Sequence, residues 1–272
     1  MMDVAVIGGG PAGISAALTL RQRGKSVVVI SADPGQSHLA KAEKINNYPG
    51  MVGMSGKEML DVMTKQAEDA GVFFMHGRAT SIMSMGETFG IAVGSEFMEA
   101  EAVILTLGVS MGKPYKGETD YLGRGVSYCA TCDGMLYRNK NVAVIGLCAD
   151  APEEAEFLRS ISCNVEYFDR SRAKSYEIRG EQTVTALIAD GVEYPVDGIF
   201  ILRSGVAADL LMFGLELENG AIAVDRSMRT NLEGIFAAGD CTGVPYQLPK
   251  AVGEGNIAAL SAVKYLDRTD AS

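Results

Sequence analysis

The feature that most restricts how this chain can fold stands at its beginning. Val4, Ala5, Val6 and Ile7 form a short apolar run that meets Gly8, Gly9, Gly10, Pro11, Ala12 and Gly13, and a helical pattern through Ile14, Ala17 and Leu18 follows. The order reads as strand, glycine turn, helix. Gly8 permits the tight turn, Gly10 lets backbone approach a pyrophosphate, and Gly13 lets the helix pack on the sheet while its N-terminus faces the phosphate charge. A second strand is expected over residues 26–30, and that placement makes the glycine spacing a dinucleotide signature rather than a chance glycine loop. An acidic ribose ligand often ends this second strand; Ser31 stands there instead.

A second feature points to redox chemistry. In Tyr128-Cys129-Ala130-Thr131-Cys132-Asp133-Gly134 two thiols are separated by two residues beside one carboxylate. A short intramolecular disulfide is reachable at that spacing, so the pair can store two electrons. If the turn opens a helix, its first N–H groups stabilise a thiolate, and Asp133 is placed to move the proton that thiol–disulfide exchange requires. The other reading, half of a zinc site, wants a second short pair of ligands. Cys148, Cys163, Cys241, His38 and His76 are scattered, and no metal is expected.

Composition narrows the partners. The 272 residues are enough for one large or two modest domains. A formal net charge of −10 argues against nucleic acid or an anionic membrane as the main partner. Five cysteines, an odd number without a regular framework, fit a reducing compartment. The first strand begins almost at Met1 and no apolar run reaches the length of a membrane span, so a cytoplasmic location is expected.

Further along, Ser55 and Glu58 have capping-box spacing, the apolar face is Met59, Val62, Met63, Ala67 and Ala70, and Gly71 closes the helix. Residues 72–107 read as short strands with turns at Gly86 and at Gly94-Ser95, ending at Gly108. Linker composition at 113–117 and 202–205 brackets a second unit. That unit repeats the opening theme with a strand from Asn141 to Ile145, Gly146, and a helix over 152–161. Then it departs. A second glycine fingerprint is replaced by Gly146, Leu147, Cys148, Ala149, Asp150 and Ala151, with a carboxylate where phosphate charge would arrive. After a strand over 165–168, Arg170 and Arg172 flank Ser171; the lost glycines favour a solvated turn over a 2′-phosphate clamp. A hairpin over 183–188 and 192–196 around Asp190-Gly191 and a last strand over 198–202 leave no room for a second crossover helix. The chain returns through strands at 215–219 and 222–225, a strand ending in Gly239-Asp240, and a final helix reached through Lys250 and running to Leu266.

Four blocks in this order, residues 8–13, Asn47-Tyr48-Pro49-Gly50, residues 123–134 with Cys-Ala-Thr-Cys-Asp-Gly, and residues 234–240, resemble the low-molecular-weight thioredoxin reductases over essentially the whole chain. The resemblance implies an α/β fold of two Rossmann-like (three-layer ββα) domains. Residues 1–114 and 204–272 would form a discontinuous FAD-binding domain, and 115–203 a truncated pyridine-nucleotide-like domain carrying the dithiol, in a homodimer. By position FAD would be held by Gly8, Gly10, Pro11, Ala12 and Gly13, with Gln36, Asn47 and Gly108, and then Gly239, Asp240, Lys250 and Ala251. Cys132 would face the flavin, Cys129 would attack the disulfide of thioredoxin, and Asp133 would be the acid/base.

The inserted domain departs from that family. The second fingerprint and the basic clamp for NADPH are absent, with Asp169 near the usual His position. This resembles the branch that does not use NADPH, including the flavin-dependent ferredoxin:thioredoxin reductases of anaerobes. The expected electron path therefore runs from reduced ferredoxin to FAD, to the dithiol, to thioredoxin. Flavin accepts electrons singly or in pairs, which suits an iron–sulfur donor. Ferredoxins are usually acidic, so docking would use a local basic patch such as Arg170, Arg172, Lys174 and Arg179. The alternatives are an NADPH-dependent thioredoxin reductase, a flavin dithiol oxidase using oxygen, and a redox-sensing flavoprotein that turns nothing over.

Overall fold

A computed structural model describes residues 1–272 apart from 33–36, 38, 41, 109–113, 129, 149–150, 204–207 and 270–272, and only the backbone at 132, 209, 210 and 269. Gln36 and Cys129 thus lie outside the described residues, as do His38, Ala149 and Asp150. The chain divides into two compact units, Met1–Ser110 with Ala207–Ser272, and Met111–Val206.

In chain order the first unit contains β1 (Met2–Ile7), α1 (Pro11–Gln22), β2 (Val27–Ser31), α2 (Gly56–Asp69), β3 (Phe73–His76), β4 (Ala79–Ser84), β5 (Phe89–Val93) and β6 (Glu96–Leu105). The second unit contains β7 (Val126–Ser127), α3 (Ala130–Asp133), β8 (Asn141–Gly146), α4 (Ala151–Ser160), β9 (Asn164–Phe168), β10 (Tyr176–Gly180), β11 (Val184–Ala189), β12 (Val192–Pro195) and β13 (Gly198–Leu202). The chain then completes the first unit with α5 (Ala208–Leu211), β14 (Leu217–Glu218), β15 (Ala221–Ile222), β16 (Ile235–Ala237) and α6 (Leu248–Thr269).

The main sheet of the first unit runs β3-β2-β1-β6-β5-β4, with β16 also on β6. β1 lies parallel between β2 and β6, with Val6 beside Val29 on one side and Ile104 on the other. Strands covered on both faces read as unbroken apolar runs, which is why Val4, Ala5 and Val6 are all fully buried. β6 serves two neighbourhoods: its first half pairs antiparallel with β5, and its last three residues lie between β1 and β16. Ile14, Ala17 and Leu20 of α1 share one core with Ala258, Ala259 and Ala262 of α6. The two helices approach closely because Gly255 has no side chain; a Cβ there would lie 2.1 Å from the Ala12 carbonyl oxygen.

α2 starts as its sequence requires. Ser55 Oγ accepts from Glu58 N at 3.2 Å and Ser55 N donates to Glu58 Oε2 at 2.8 Å, the reciprocal cap. Met59, Met63 and Ala67 are buried, but Val62 and Ala70, expected on the same face, are exposed. They flank a stripe narrower than the periodicity implies.

In the second unit β7-β13-β8-β9 form a parallel sheet, and β10-β11-β12 a separate antiparallel one. Alternate side chains of β8 and β13 face opposite layers. Ala143, Ile145, Ile199 and Ile201 meet Ile178 and Leu187 of the antiparallel sheet; Val142, Val144, Phe200 and Leu202 meet Ala151, Ala155 and Leu158 of α4. The α/β class and the Rossmann-like parallel sheets expected from sequence are therefore present. β10 was not expected, although Tyr176 and Ile178, both buried, alternate with Glu177 and Arg179. The last helix begins at Leu248, so Lys250 is already in its first turn. Among the described residues no helix is long and apolar enough to cross a membrane.

Candidate redox and cofactor site

The opening after β1 is shaped by missing side chains. Gly8 has φ +120°, and a Cβ there would fall 2.2 Å from the Thr106 carbonyl oxygen. The Thr106 hydroxyl donates to the Gly8 carbonyl at 2.9 Å and fixes the turn from the neighbouring strand. At Gly13 a Cβ would lie 1.9 Å from the Gly8 carbonyl oxygen, so any side chain would push α1 off the sheet. Gly10 differs, because a Cβ there would meet nothing within 4 Å. It is the N-cap of α1, with no side-chain cap, Pro11 at the first helical position and no acidic residue in the first turn. Uncapped N–H groups at the positive end of a helix, beneath open space, fit a bound pyrophosphate.

The sheet places this opening at a reversal of strand order, where β1 has β2 on one side and β6 on the other, the usual site for ligands in open α/β sheets. The other sequence-selected residues arrive from the end of the chain. Gly239, with φ +86°, follows β16, and a Cβ there would sit 2.9 Å from Ala12 Cβ, which sets half-exposed Asp240 next to the start of α1. Lys250 Nζ donates to the carbonyls of Gly239 (2.8 Å) and Gly243 (2.7 Å) and to Thr242 Oγ1 (3.0 Å), and pairs with Glu254 at 3.2 Å. Glu254 in turn accepts from Gly239 N and from Thr242 Oγ1, each at 2.9 Å. Lys250 thus shapes the loop that carries Asp240. Ala251 is buried. Gly108, with φ +70°, has open space where a Cβ would stand. Asn47 is exposed on a loop closed by the bridges Ile45–Met54 and Tyr48–Met51. Thr106, Thr242 and Glu254 were not anticipated; Glu254, one helical turn after Lys250, carried the only signal. Burial pushes the Cys241 thiol up to about 11, which disfavours its reactive thiolate.

In the second unit α3 begins at Ala130, the residue after Cys129, so the dithiol turn does open a helix. Ala130 N donates to Glu154 Oε2 of α4 at 3.1 Å. At the other end Asp133 Oδ2 accepts from Ser127 Oγ at 2.7 Å, and Ser127 is fixed in β7 beside Phe200. Neither Ser127 nor Glu154 was singled out as a site residue from sequence. Just past the helix, Met135 and Leu136 are 57% and 70% exposed.

Behind the dithiol segment lies a buried ion pair. Glu118, 1% exposed at its side chain, takes both terminal nitrogens of Arg203, Tyr128 Oη at 2.9 Å and Tyr115 N at 2.7 Å. Burial alone would raise the Glu118 pKa, but the Arg203 hydrogen bonds, the Tyr115 N–H and the Arg203 charge together hold it below the ordinary carboxylate value. Tyr128, the residue before Cys129, thus ties the dithiol segment to this pair.

The second nucleotide-type opening is filled. A Cβ on Gly146 would fall 2.2 Å from Tyr167 Oη and 3.0 Å from Ala151 Cβ. The first turn of α4 carries Glu153 and Glu154. Arg170 Nη2 donates across the turn to the Leu147 carbonyl at 3.1 Å. Asp169 accepts from the backbone N–H groups of Ser171 (2.8 Å) and Arg172 (3.0 Å), closing a turn on itself. Arg172 stacks over Phe168 at 4.3 Å and pairs with Glu166. Of the basic patch read from sequence, Arg172 is answered by Glu166 and Arg179 by Glu177 at 2.9 Å, while Arg170 is held on the Leu147 carbonyl.

Comparison with known proteins agrees with this geometry. The pattern of the pyridine nucleotide-disulphide oxidoreductases matches residues 2–174 and 170–255. The thioredoxin reductase of Aquifex aeolicus (strain VF5) is 33% identical across 97% of this chain and 93% of that protein. A ferredoxin-flavin thioredoxin reductase from Clostridium acetobutylicum superimposes with a TM-score of 0.93 at 38% identity, covering 100% of this chain and 99% of that one. A thioredoxin reductase from Gloeobacter violaceus gives 0.83 at 31% identity, covering 98% and 94%.

Proposed function

We propose a function from one premise: this chain belongs to the pyridine nucleotide-disulphide oxidoreductase family, and within it is a flavin-dependent thioredoxin reductase with FAD as its cofactor. We infer that its electrons come from a one-electron iron–sulfur protein of the ferredoxin kind, not from NADPH. The observation that carries this is the contrast between an open, uncapped helix start after β1 and the turn after β8, where Tyr167 packs on Gly146 and the following helix opens on Glu153 and Glu154. Likeness to the clostridial ferredoxin-flavin enzyme supports the same donor.

Gly8, Gly10, Gly13, Gly239 and Asp240 would hold the FAD. When bound, FAD collects electrons singly and supplies them as a pair to a disulfide. The chain's own residues do the rest. The Cys129 thiolate attacks one sulfur of the thioredoxin disulfide, forming a mixed disulfide and releasing one thiol; Cys132 then displaces the second, so thioredoxin leaves with two thiols and the Cys129–Cys132 disulfide is restored. Asp133, fixed by Ser127, moves the proton between thiol and solvent. Exposed Met135 and Leu136 give a protein substrate an apolar landing beside the dithiol. The expected homodimer has apolar surface to cover in the first unit, where Val52 and Phe213 are 74% and 94% exposed; sedimentation at micromolar protein tests it.

The test of the donor is a visible spectrum under anaerobic conditions. Reduced ferredoxin should bleach the flavin and yield free thiols at Cys129 and Cys132, while NADPH leaves it oxidised. Rapid bleaching by NADPH would sink the proposal.

A further inference from the structure

We propose that Glu154 is a positioning residue of the dithiol site, holding the first amide of α3, the one that follows Cys129, and bringing a negative charge to that amide. The inference rests on reading Cys129 and Cys132 as the working pair. A single helical turn has too few internal hydrogen bonds to keep its shape alone, so α3 must be held by its neighbours. α4 supplies two holds. Near the end of α3, Gly134 is enclosed by Phe157, Leu158 and Ile161, and a Cβ there would lie 2.8 Å from Leu158 Cδ2. At the start, the Glu154 carboxylate accepts the N–H of Ala130, the amide that follows Cys129, at 3.1 Å.

The second hold has a chemical consequence. A free N–H at the start of a helix is what normally stabilises a cysteine thiolate. A carboxylate that accepts this N–H removes the donor and adds a like charge, and both effects disfavour the thiolate. The reduced pair is thereby destabilised relative to its disulfide wherever thiolate is populated, which makes it the stronger reductant. Among the described residues, the other ionisable groups on the elements packed here include Asp133, Tyr137, Cys148, Cys163 and Tyr167, and on α4 Glu153 and the mutually paired Glu156 and Arg159. The carboxylate that repels a nucleotide phosphate from α4 is, in this view, employed on the redox helix.

The experiment measures iodoacetamide alkylation of Cys129 and Cys132 against pH in the reduced, flavin-loaded enzyme. Glu154→Gln keeps an oxygen for the Ala130 N–H and removes the charge. Its profile should move down by about 0.5 to 1 pH unit, raising the rate at neutral pH roughly three- to tenfold. Glu153→Gln makes the same change in net charge without touching Ala130 and should leave the profile in place. An unmoved profile in Glu154→Gln, as a purely mechanical anchor would give, or an equal shift in Glu153→Gln, overturns the proposal. Independently of any variant, the Ala130 amide resonance of the wild type should shift as its neighbouring carboxylate is protonated in acid; a flat response overturns it too. A wild type lacking a reversible Cys129–Cys132 disulfide would remove the underlying reading and this inference with it. A normal disulfide with an unmoved profile removes only the inference.

Discussion

Residues 4–8 and 142–146 have the same sequence, Val-Ala-Val-Ile-Gly, yet only the first leads into a glycine turn with open space at its helix N-cap. Both segments form inner strands with parallel neighbours on either side, with Ile7 beside Leu105 and Ile145 beside Ile201. One residue further along the neighbouring strand the units part. The first has Thr106, whose hydroxyl grips the Gly8 carbonyl; the second has Leu202, apolar and fully buried. Gly13 answers to Ala151, and a first turn without acids answers to one with Glu153 and Glu154. A glycine fingerprint is a set of vacancies. Fill them with side chains, and the same strand and helix become scaffold, here for a redox helix and a self-closed turn.

The contrast can be broken most forcefully in the second unit, where polar groups hold the fold together. Arg203→Ala leaves Glu118 charged, buried and without its partner, and should lower stability to denaturant by about 3–5 kcal/mol. The same pair has a pH signature. Glu118 is depressed below 4.5 in the folded state, so its contribution is present above that value and lost as pH falls through the lower folded pKa. Acid unfolding of Arg203→Ala should lack this limb; an unchanged acid limb would mean the pair contributes nothing.

Next in size is Gly13→Ala, expected to cost about 3 kcal/mol by overpacking and to abolish flavin retention, measured by absorbance after gel filtration. Ala151→Gly, the reverse change in the second unit, should cost only about 1 kcal/mol and create no nucleotide affinity. Equal effects at the two positions would erase the distinction drawn here. Smaller still is Thr106→Val, which removes one buried hydrogen bond worth about 1 kcal/mol and should weaken flavin retention without releasing it. The mildest expectation concerns reactivity: in native protein at pH 8 Cys241 and Cys163 should resist alkylation, because burial raises both thiols. Modification of Cys241 as fast as of half-exposed Cys148 would show that the cofactor loop opens freely.

Much of this was legible beforehand. The apolar runs of β8 and β13, the reciprocal cap of Ser55 and Glu58, and the turn at Asp190-Gly191 are local patterns, and each formed where composition and turn chemistry placed it. β10 escaped because four alternating residues after a charged turn look like loop, and only pairing with β11 makes them a strand. Arg172 and Arg179 read as part of a basic patch although the carboxylates that answer them, Glu166 and Glu177, stand only six and two residues away; which charge pairs with which was set by where the turn and strand aim the side chains.

The sequence by itself determined most of the strands and helices, the open glycine turn and the spacing of the dithiol, since these depend on backbone sterics and on side-chain period within a few residues. Only the tertiary structure decided which polar groups grip one another. Thr106 and Gly8 are 98 residues apart, Arg203 and Glu118 85, and Glu154 and Ala130 24. A hydrogen bond across such separations leaves no period in the chain, because it is created when two packed layers bring donor and acceptor within reach.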